Sequence, residues 1–341
     1  MKYFFSQIIL KNRKALFSIL TIVLVLGISG EVFAGKKINW SAINPLLKGA
    51  TSVGMSAMED DETECFLCHK DYIRSFGKTK HAKAYIAKHG EGKVGSSCET
   101  CHGPMSLHLK EVGITEGSIP DPGTKIKAKH VVSFKKISPM AKNAICLQCH
   151  EKNSVLQWQG SAHRDSGISC DNCHYVTQRK GKRGLLIKED PKKVCFQCHR
   201  EQKAKLLKIS RKPLREGKQD CSSCHNPHGS FGPSLLKKAT VNETCYMCHR
   251  EKRGPLIWEH APVRENCSTC HDPHGSNFLG MLKQKAPFLC QQCHMDVFHS
   301  SSLNDGNQLN TAQTRLIGKS CMNCHSLIHG SNHPSGARFQ R

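Results

Sequence analysis

The residues able to do chemistry in this chain of 341 are its 20 Cys and 21 His, and their spacing limits what that chemistry is. Every cysteine belongs to a Cys-x-x-Cys-His element, numbered here one to ten in chain order. They are Cys65/Cys68/His69, Cys98/Cys101/His102, Cys146/Cys149/His150, Cys170/Cys173/His174, Cys195/Cys198/His199, Cys221/Cys224/His225, Cys245/Cys248/His249, Cys267/Cys270/His271, Cys290/Cys293/His294 and Cys321/Cys324/His325. Composition alone would produce well under one such element, so the repetition is not accidental. Two thiols one turn apart can add to the two vinyl groups of a single haem. The next residue then offers its imidazole to the iron as the proximal ligand. A zinc ribbon also uses paired cysteines, but it has no need of a histidine directly after every second one. A thioredoxin-like redox pair occurs once, on a strand-helix unit that this sequence lacks.

Eleven histidines remain: His81, His89, His108, His130, His163, His228, His260, His274, His299, His329 and His333. Ten irons each want a sixth ligand, so supply and demand nearly match. The expectation is ten covalently attached c-type haems, mostly with bis-histidine iron, built to pass electrons rather than to open a site to substrate. His228 and His274 stand three residues after their own proximal histidine. At that spacing they point away from that haem and reach across to another. Spacing does not tell which distal histidine serves which iron.

The elements that must position these residues are short. Successive motifs begin 22 to 48 residues apart, mostly 22 to 26, too few for each unit to bury a core of its own. Aromatic residues are only 6% of the chain. The expected fold class is therefore a multihaem cytochrome c: short α-helices and loops wrapped round a chain of ten haems, with very little β. The closest internal match, between motifs six and eight, suits a division into a first pentahaem half, 65–200, and a second, 201–341, after an N-terminal linker at 35–64. Residues 1–34 read as a signal peptide: Lys11, Arg13 and Lys14, an apolar run from Ala15 to Ser29, and "VFA" before Gly35. That run is shorter than the roughly 20 residues of a membrane-spanning helix. The formal net charge of +23 becomes +20 without residues 1–34, which hold four Lys/Arg and one Glu, and the twenty propionates of ten haems match it, so a nucleic-acid partner is not expected.

The stretches "VNETCYMCHREKRGPLIWEHAPVRENCSTCHDPHGS" (Val241 to Ser276), "APFLCQQCH" (Ala286 to His294) and "CMNCHSLIHGSNHPSG" (Cys321 to Gly336) resemble the MtrA/DmsE/PioA family of decahaem cytochromes c. The resemblance spans all ten motifs and is strongest after Cys195. It implies an electron-transfer conduit across the outer membrane, exported to the periplasm and seated in a β-barrel porin. It further implies an outer-surface multihaem cytochrome on one side and a periplasmic or inner-membrane cytochrome on the other. The distal-ligand positions it implies are His81, His108, His163, His228, His260, His274, His299, His329 and His333. Two positions depart from the family pattern. Lys212, before Pro213, stands where the family has a histidine, and so does Thr177 after motif four. The expectation is that His89 or His130 fills a vacated sixth position; the alternative is a haem that is His/Lys-ligated or five-coordinate. The function class also has alternatives: a periplasmic shuttle feeding a terminal reductase such as dimethyl sulfoxide reductase, or a multihaem enzyme in its own right. The latter needs an open haem, and all ten motifs end in histidine.

Overall fold

The computed structural model describes residues 37–53, 64–89, 96–114, 126–178, 180–181, 183–294 and 320–339. The expected signal peptide at 1–34 and His299 lie outside these residues. Helices are short, and in place of a sheet the described residues form isolated antiparallel bridges. Helices and loops with little β are the fold class expected of the sequence.

From motif three onward the chain alternates two local forms. Odd motifs end an α-helix: Pro139–Leu147, Pro191–Cys195, Val241–Tyr246 and Ala286–Gln291. Their starts are written in the sequence. Ser138, Asp190 and Thr240 cap the first three with side-chain oxygens that accept free backbone N–H groups. Pro139, Pro191 and Pro287 occupy first-turn positions, where no N–H is needed. Even motifs instead open a single 3-10 turn at the first cysteine: Cys170–Asn172, Cys221–Ser223, Cys267–Thr269 and Cys321–Asn323. One odd helix and one even turn pack together, giving a two-motif unit whose odd motifs start 45 to 50 residues apart.

Buried amides fasten the two forms. Asn143, three residues before Cys146, accepts the Cys170 N–H at 3.0 Å and donates to the Ile168 carbonyl at 3.2 Å. Asn242 takes the same place before Cys245 and accepts the Cys267 N–H at 2.7 Å.

The apolar core is thin for a chain of this length. Among the described residues ten hydrophobic side chains are buried, and the cluster they form is Leu47, Val132 and Ile145, covered by Trp40, Ile43 and Phe134. Contacts also run across Arg200, where the two halves were expected to divide. Asn226 donates to the Ser154 carbonyl at 3.1 Å, and His163 to the Pro227 carbonyl at 2.8 Å.

Candidate haem sites

Each motif folds its own ligands onto one side by a local turn. In motifs three to ten the first cysteine's carbonyl accepts from the histidine N–H at 2.9 to 3.1 Å and from the second cysteine N–H at 3.1 to 3.4 Å. No two of the cysteines are joined as a disulfide among the described residues. Burial pushes the Cys101, Cys245 and Cys290 thiols up to about 11, helped by neighbouring thiols, so they stay neutral at ordinary pH.

The thiols also report how motifs adjoin. First cysteines meet through side-chain hydrogen bonds at Cys146 and Cys170, Cys195 and Cys221, Cys245 and Cys267, and Cys290 and Cys321. Between those pairs second cysteines come within electrostatic reach: Cys101 and Cys149, Cys173 and Cys198, Cys224 and Cys248, Cys270 and Cys293. First and second cysteines thus alternate as the points of approach, and motifs two to ten follow one another in space in the order of the chain.

Cys68 and Cys324, expected as cofactor-binding thiols like the other eighteen, are the second cysteines of motifs one and ten, and both are exposed. Cys149, Cys198, Cys224, Cys248 and Cys293 are exposed too, and each of them lies near the second cysteine of an adjoining motif.

The proximal imidazoles of the even motifs are oriented by backbone. Nδ1–H donates to a carbonyl at His102 (Val132, 2.8 Å), His174 (Gly184, 2.6 Å), His225 (Ser234, 2.8 Å), His271 (Gly280, 2.7 Å) and His325 (Arg338, 2.6 Å). A proton fixed on Nδ1 leaves the Nε2 lone pair for a metal. In three even motifs the acceptor sits in a tight turn with left-handed φ, at Gly184 and Leu185, Ser234 and Leu235, Gly280 and Met281. Isolated bridges tie those turns back: His174 to Leu186, His225 to Leu236, His271 to Leu282.

Six proximal rings face a second imidazole. Ring centroids are 5.8 Å apart at His81 and His150, 6.0 Å at His163 and His199, 6.0 Å at His174 and His228, 6.0 Å at His225 and His274, 6.2 Å at His260 and His294, and 6.1 Å at His271 and His329. The pairing follows a rule. A histidine that follows an odd motif faces the proximal histidine two motifs later: His81 to motif three, His163 to five, His260 to nine. A histidine that follows an even motif faces the one two motifs earlier: His228 to four, His274 to six, His329 to eight. Half-buried His108 feels His69 most strongly among its imidazole neighbours, which associates it with motif one.

Lys212 follows motif five, and its Nζ lies 3.0 Å from Nε2 of His249 in motif seven. His130, expected as a candidate for a vacated sixth position, has its Nδ1 facing Glu111 at 3.1 Å, near His108. The backbone of His89 ends the helix Lys80–His89. His333 is engaged in its own turn, where Nδ1 accepts the Ser335 N–H at 3.2 Å. The backbone carbonyl of Thr177 accepts from the Ser75 hydroxyl at 3.3 Å. By the rule, Thr177 stands where an imidazole for His102 in motif two would come from.

These residues fit haem c. Two metal–nitrogen bonds of about 2 Å each, plus the roughly 1 Å from nitrogen to ring centre, separate coaxial imidazole centroids by about 6 Å. That is the spacing found in all six pairs. Burial lowers the pKa of His81, His108, His228, His274 and His329, with neighbouring imidazoles adding to the effect, so the neutral, metal-binding form is favoured. A thin apolar core suits a chain whose interior is completed by ten porphyrins.

Comparison with known proteins agrees with this reading. The chain matches a family model described as a doubled CXXCH motif at residues 212–254 and 260–299. Another, for cytochrome c7 and related cytochrome c, matches residues 155–226. It is 42% identical over 284 residues to "Multiheme cytochrome MtrA" of Shewanella baltica (strain OS185), covering 81% of this chain and 80% of that protein.

Proposed function

The chain belongs to the MtrA family of multihaem c-type cytochromes, carries covalently bound haem c and transfers electrons; from that premise we propose that it conducts them across the outer membrane inside a β-barrel porin. The observation that carries this reading is the single succession of motifs two to ten, each meeting its chain neighbours through alternating cysteines among the described residues. Such an arrangement suits conduction from one end to the other better than a compact cluster around a catalytic centre. When bound, the haem iron supplies reversible one-electron chemistry.

The chain's own residues anchor and orient that chemistry. The cysteine pair of each motif forms the two thioethers, Cys68 and Cys324 at the chain's two end motifs included, and the histidine after it is the proximal ligand. His81, His163, His228, His260, His274 and His329 are the sixth ligands for motifs three, five, four, nine, six and eight, and His108 serves motif one. With His on both sides those seven irons have no open position, which favours an electron carrier over an enzyme. Residues 1–34 serve export to the periplasm. Among the described residues no helix is long and apolar enough to cross a membrane, so a transmembrane path needs a partner that supplies the barrel.

The test is a tagged chain purified from its own cells, followed by deletion of any porin it brings down. Co-purification of a barrel protein, and loss of electron transfer to an extracellular acceptor on its deletion, are expected. Unchanged extracellular transfer without the porin would sink the conduit and leave a periplasmic shuttle.

A further inference from the structure

We propose that Lys212 is the sixth ligand of the haem iron at Cys245, Cys248 and His249, making motif seven a histidine/lysine haem between motifs six and eight, whose proximal rings face imidazoles. The proposal rests on the reading of the motifs as haem-c sites.

Position is the first argument. His163 and His260, which follow motifs three and seven, face proximal histidines two motifs onward, His199 and His294. Lys212 follows motif five and faces His249, also two motifs onward. The backbone repeats the equivalence. Two residues before His260, Trp258 exchanges both backbone hydrogen bonds with Ser331, at 2.9 Å each. Two residues before Lys212, Ser210 does the same with Ser276, at 3.0 and 2.8 Å. Both serines close an His-Gly-Ser segment, after His329 and His274. Lys212 therefore occupies the place that His260 holds one unit later.

Aim is the second argument. The Lys212 amine meets Nε2 of His249 at 3.0 Å, the nitrogen a haem-c histidine presents to its metal, rather than Nδ1, which faces Glu251 at 3.7 Å. Two metal–nitrogen bonds of about 2 Å each need about 4 Å between the nitrogens, so the flexible lysine stem would draw back by about 1 Å to admit the metal. Arg211, the neighbouring cation, is committed elsewhere: it donates to Glu216 at 2.8 Å and to the Lys208 carbonyl at 3.2 Å. A deprotonated lysine amine has one lone pair and a flexible stem long enough to place it where a shorter imidazole would sit. It is a purely σ-donating ligand, so its low-spin haem is spectroscopically distinct from a bis-imidazole one.

The experiment uses the full-length protein with its haems in place, unsubstituted and as Lys212→His and Lys212→Ala. Near-infrared magnetic circular dichroism of the ferric protein is expected to show an amine charge-transfer band worth one haem, at higher energy than the bis-imidazole band. Lys212→His moves that intensity into the bis-imidazole band. Lys212→Ala loses it and, when reduced, binds one more equivalent of carbon monoxide than the unsubstituted protein. Intact mass gives the haem count of every variant. Fewer haems would contradict the haem-c reading itself, whereas a full count with no amine band, or no extra carbon monoxide site in Lys212→Ala, overturns the lysine assignment alone. An extra site opened by His130→Ala in place of Lys212→Ala would also overturn it.

Discussion

Gly275 rests on the carbonyl of Lys205: a Cβ at Gly275 would stand 2.3 Å from that oxygen, and φ there is +135°. Gly229 meets Gln157 in the same way, at 2.3 Å with φ +119°. Each glycine directly follows a distal histidine, so the close approach of two backbones sets where that imidazole lies.

Gly275→Ala is therefore expected to cost about 2 kcal/mol or more, from the disfavoured φ and the clash together. It should also pull His274 away from His225. Thermal unfolding gives the first quantity, and the ferric EPR spectrum the second, as a high-spin signal from one haem. A low-spin spectrum with unchanged stability would refute the link between glycine and ligand.

Asn242 satisfies three backbone groups at once: the Cys267 N–H at 2.7 Å and the carbonyls of Val263 and Arg264 at 2.9 Å each. Asn242→Ala leaves them without partners in a buried site. Roughly 2 to 3 kcal/mol of stability should go, at about 1 kcal/mol per lost hydrogen bond. Denaturant unfolding of the haem-bound protein measures it, and a loss below 0.5 kcal/mol, about the lower end for one bond, would mean that water replaces the amide.

The angle between paired rings divides the sites into two classes. It is 19° at His174 and His228, 14° at His225 and His274, and 12° at His271 and His329. At His81 and His150 it is 76°, and at His163 and His199 62°. Near-parallel imidazoles give rhombic low-spin ferric signals, and near-perpendicular ones give strongly anisotropic signals with a larger maximum g. Low-temperature EPR should show both, and His163→Ala should remove intensity only from the second. One uniform class would contradict the ring geometry.

Lys205 donates to Asp272 at 2.9 Å and bridges to Glu201 at 3.1 Å. Burial pushes the Asp272 carboxyl up, but hydrogen bonds from Lys205 and the His274 N–H outweigh it and hold it below its ordinary 3.8. The same bonds, first to Asp272 and then to Glu201, raise Lys205 above 10.5. A depressed carboxylate adds stability above pH 3.8 and loses it as the pH falls through its folded value; a raised lysine adds stability below pH 10.5 and loses it as the pH rises past its own. The pair is worth about 1 kcal/mol, since both partners are partly exposed. The stability difference between the unsubstituted protein and Asp272→Asn should be flat at neutral pH and vanish at both extremes, as read by unfolding across pH.

The haem class of the chain, its scarcity of strand and the reach of His228 and His274 to other sites were all legible in residue spacing. A Cys-x-x-Cys-His turn is local, so its geometry travels with its letters. The pairing of His81 with His150 was not legible. It depends on which motifs adjoin in space, and that is set by the alternation of helix and 3-10 turn. In retrospect the alternation has a signal: Pro or a capping residue before odd motifs, and a Gly-Leu, Ser-Leu or Gly-Met pair nine to eleven residues after even proximal histidines. Lys212 was visible as an anomaly from the sequence; only its approach to His249 told which haem the anomaly belongs to.

The two-motif stride of the distal histidines makes each unit incomplete by itself. A unit lends ligands both forward and back, and borrows in both directions. Cutting one unit out would strand donors on one side and leave irons unserved on the other. A chain of this design therefore lengthens or shortens only in whole units whose donors re-engage across the joint. Motif one stands outside this stride, and His108, which feels His69 most strongly among its imidazole neighbours, is the residue proposed to serve it.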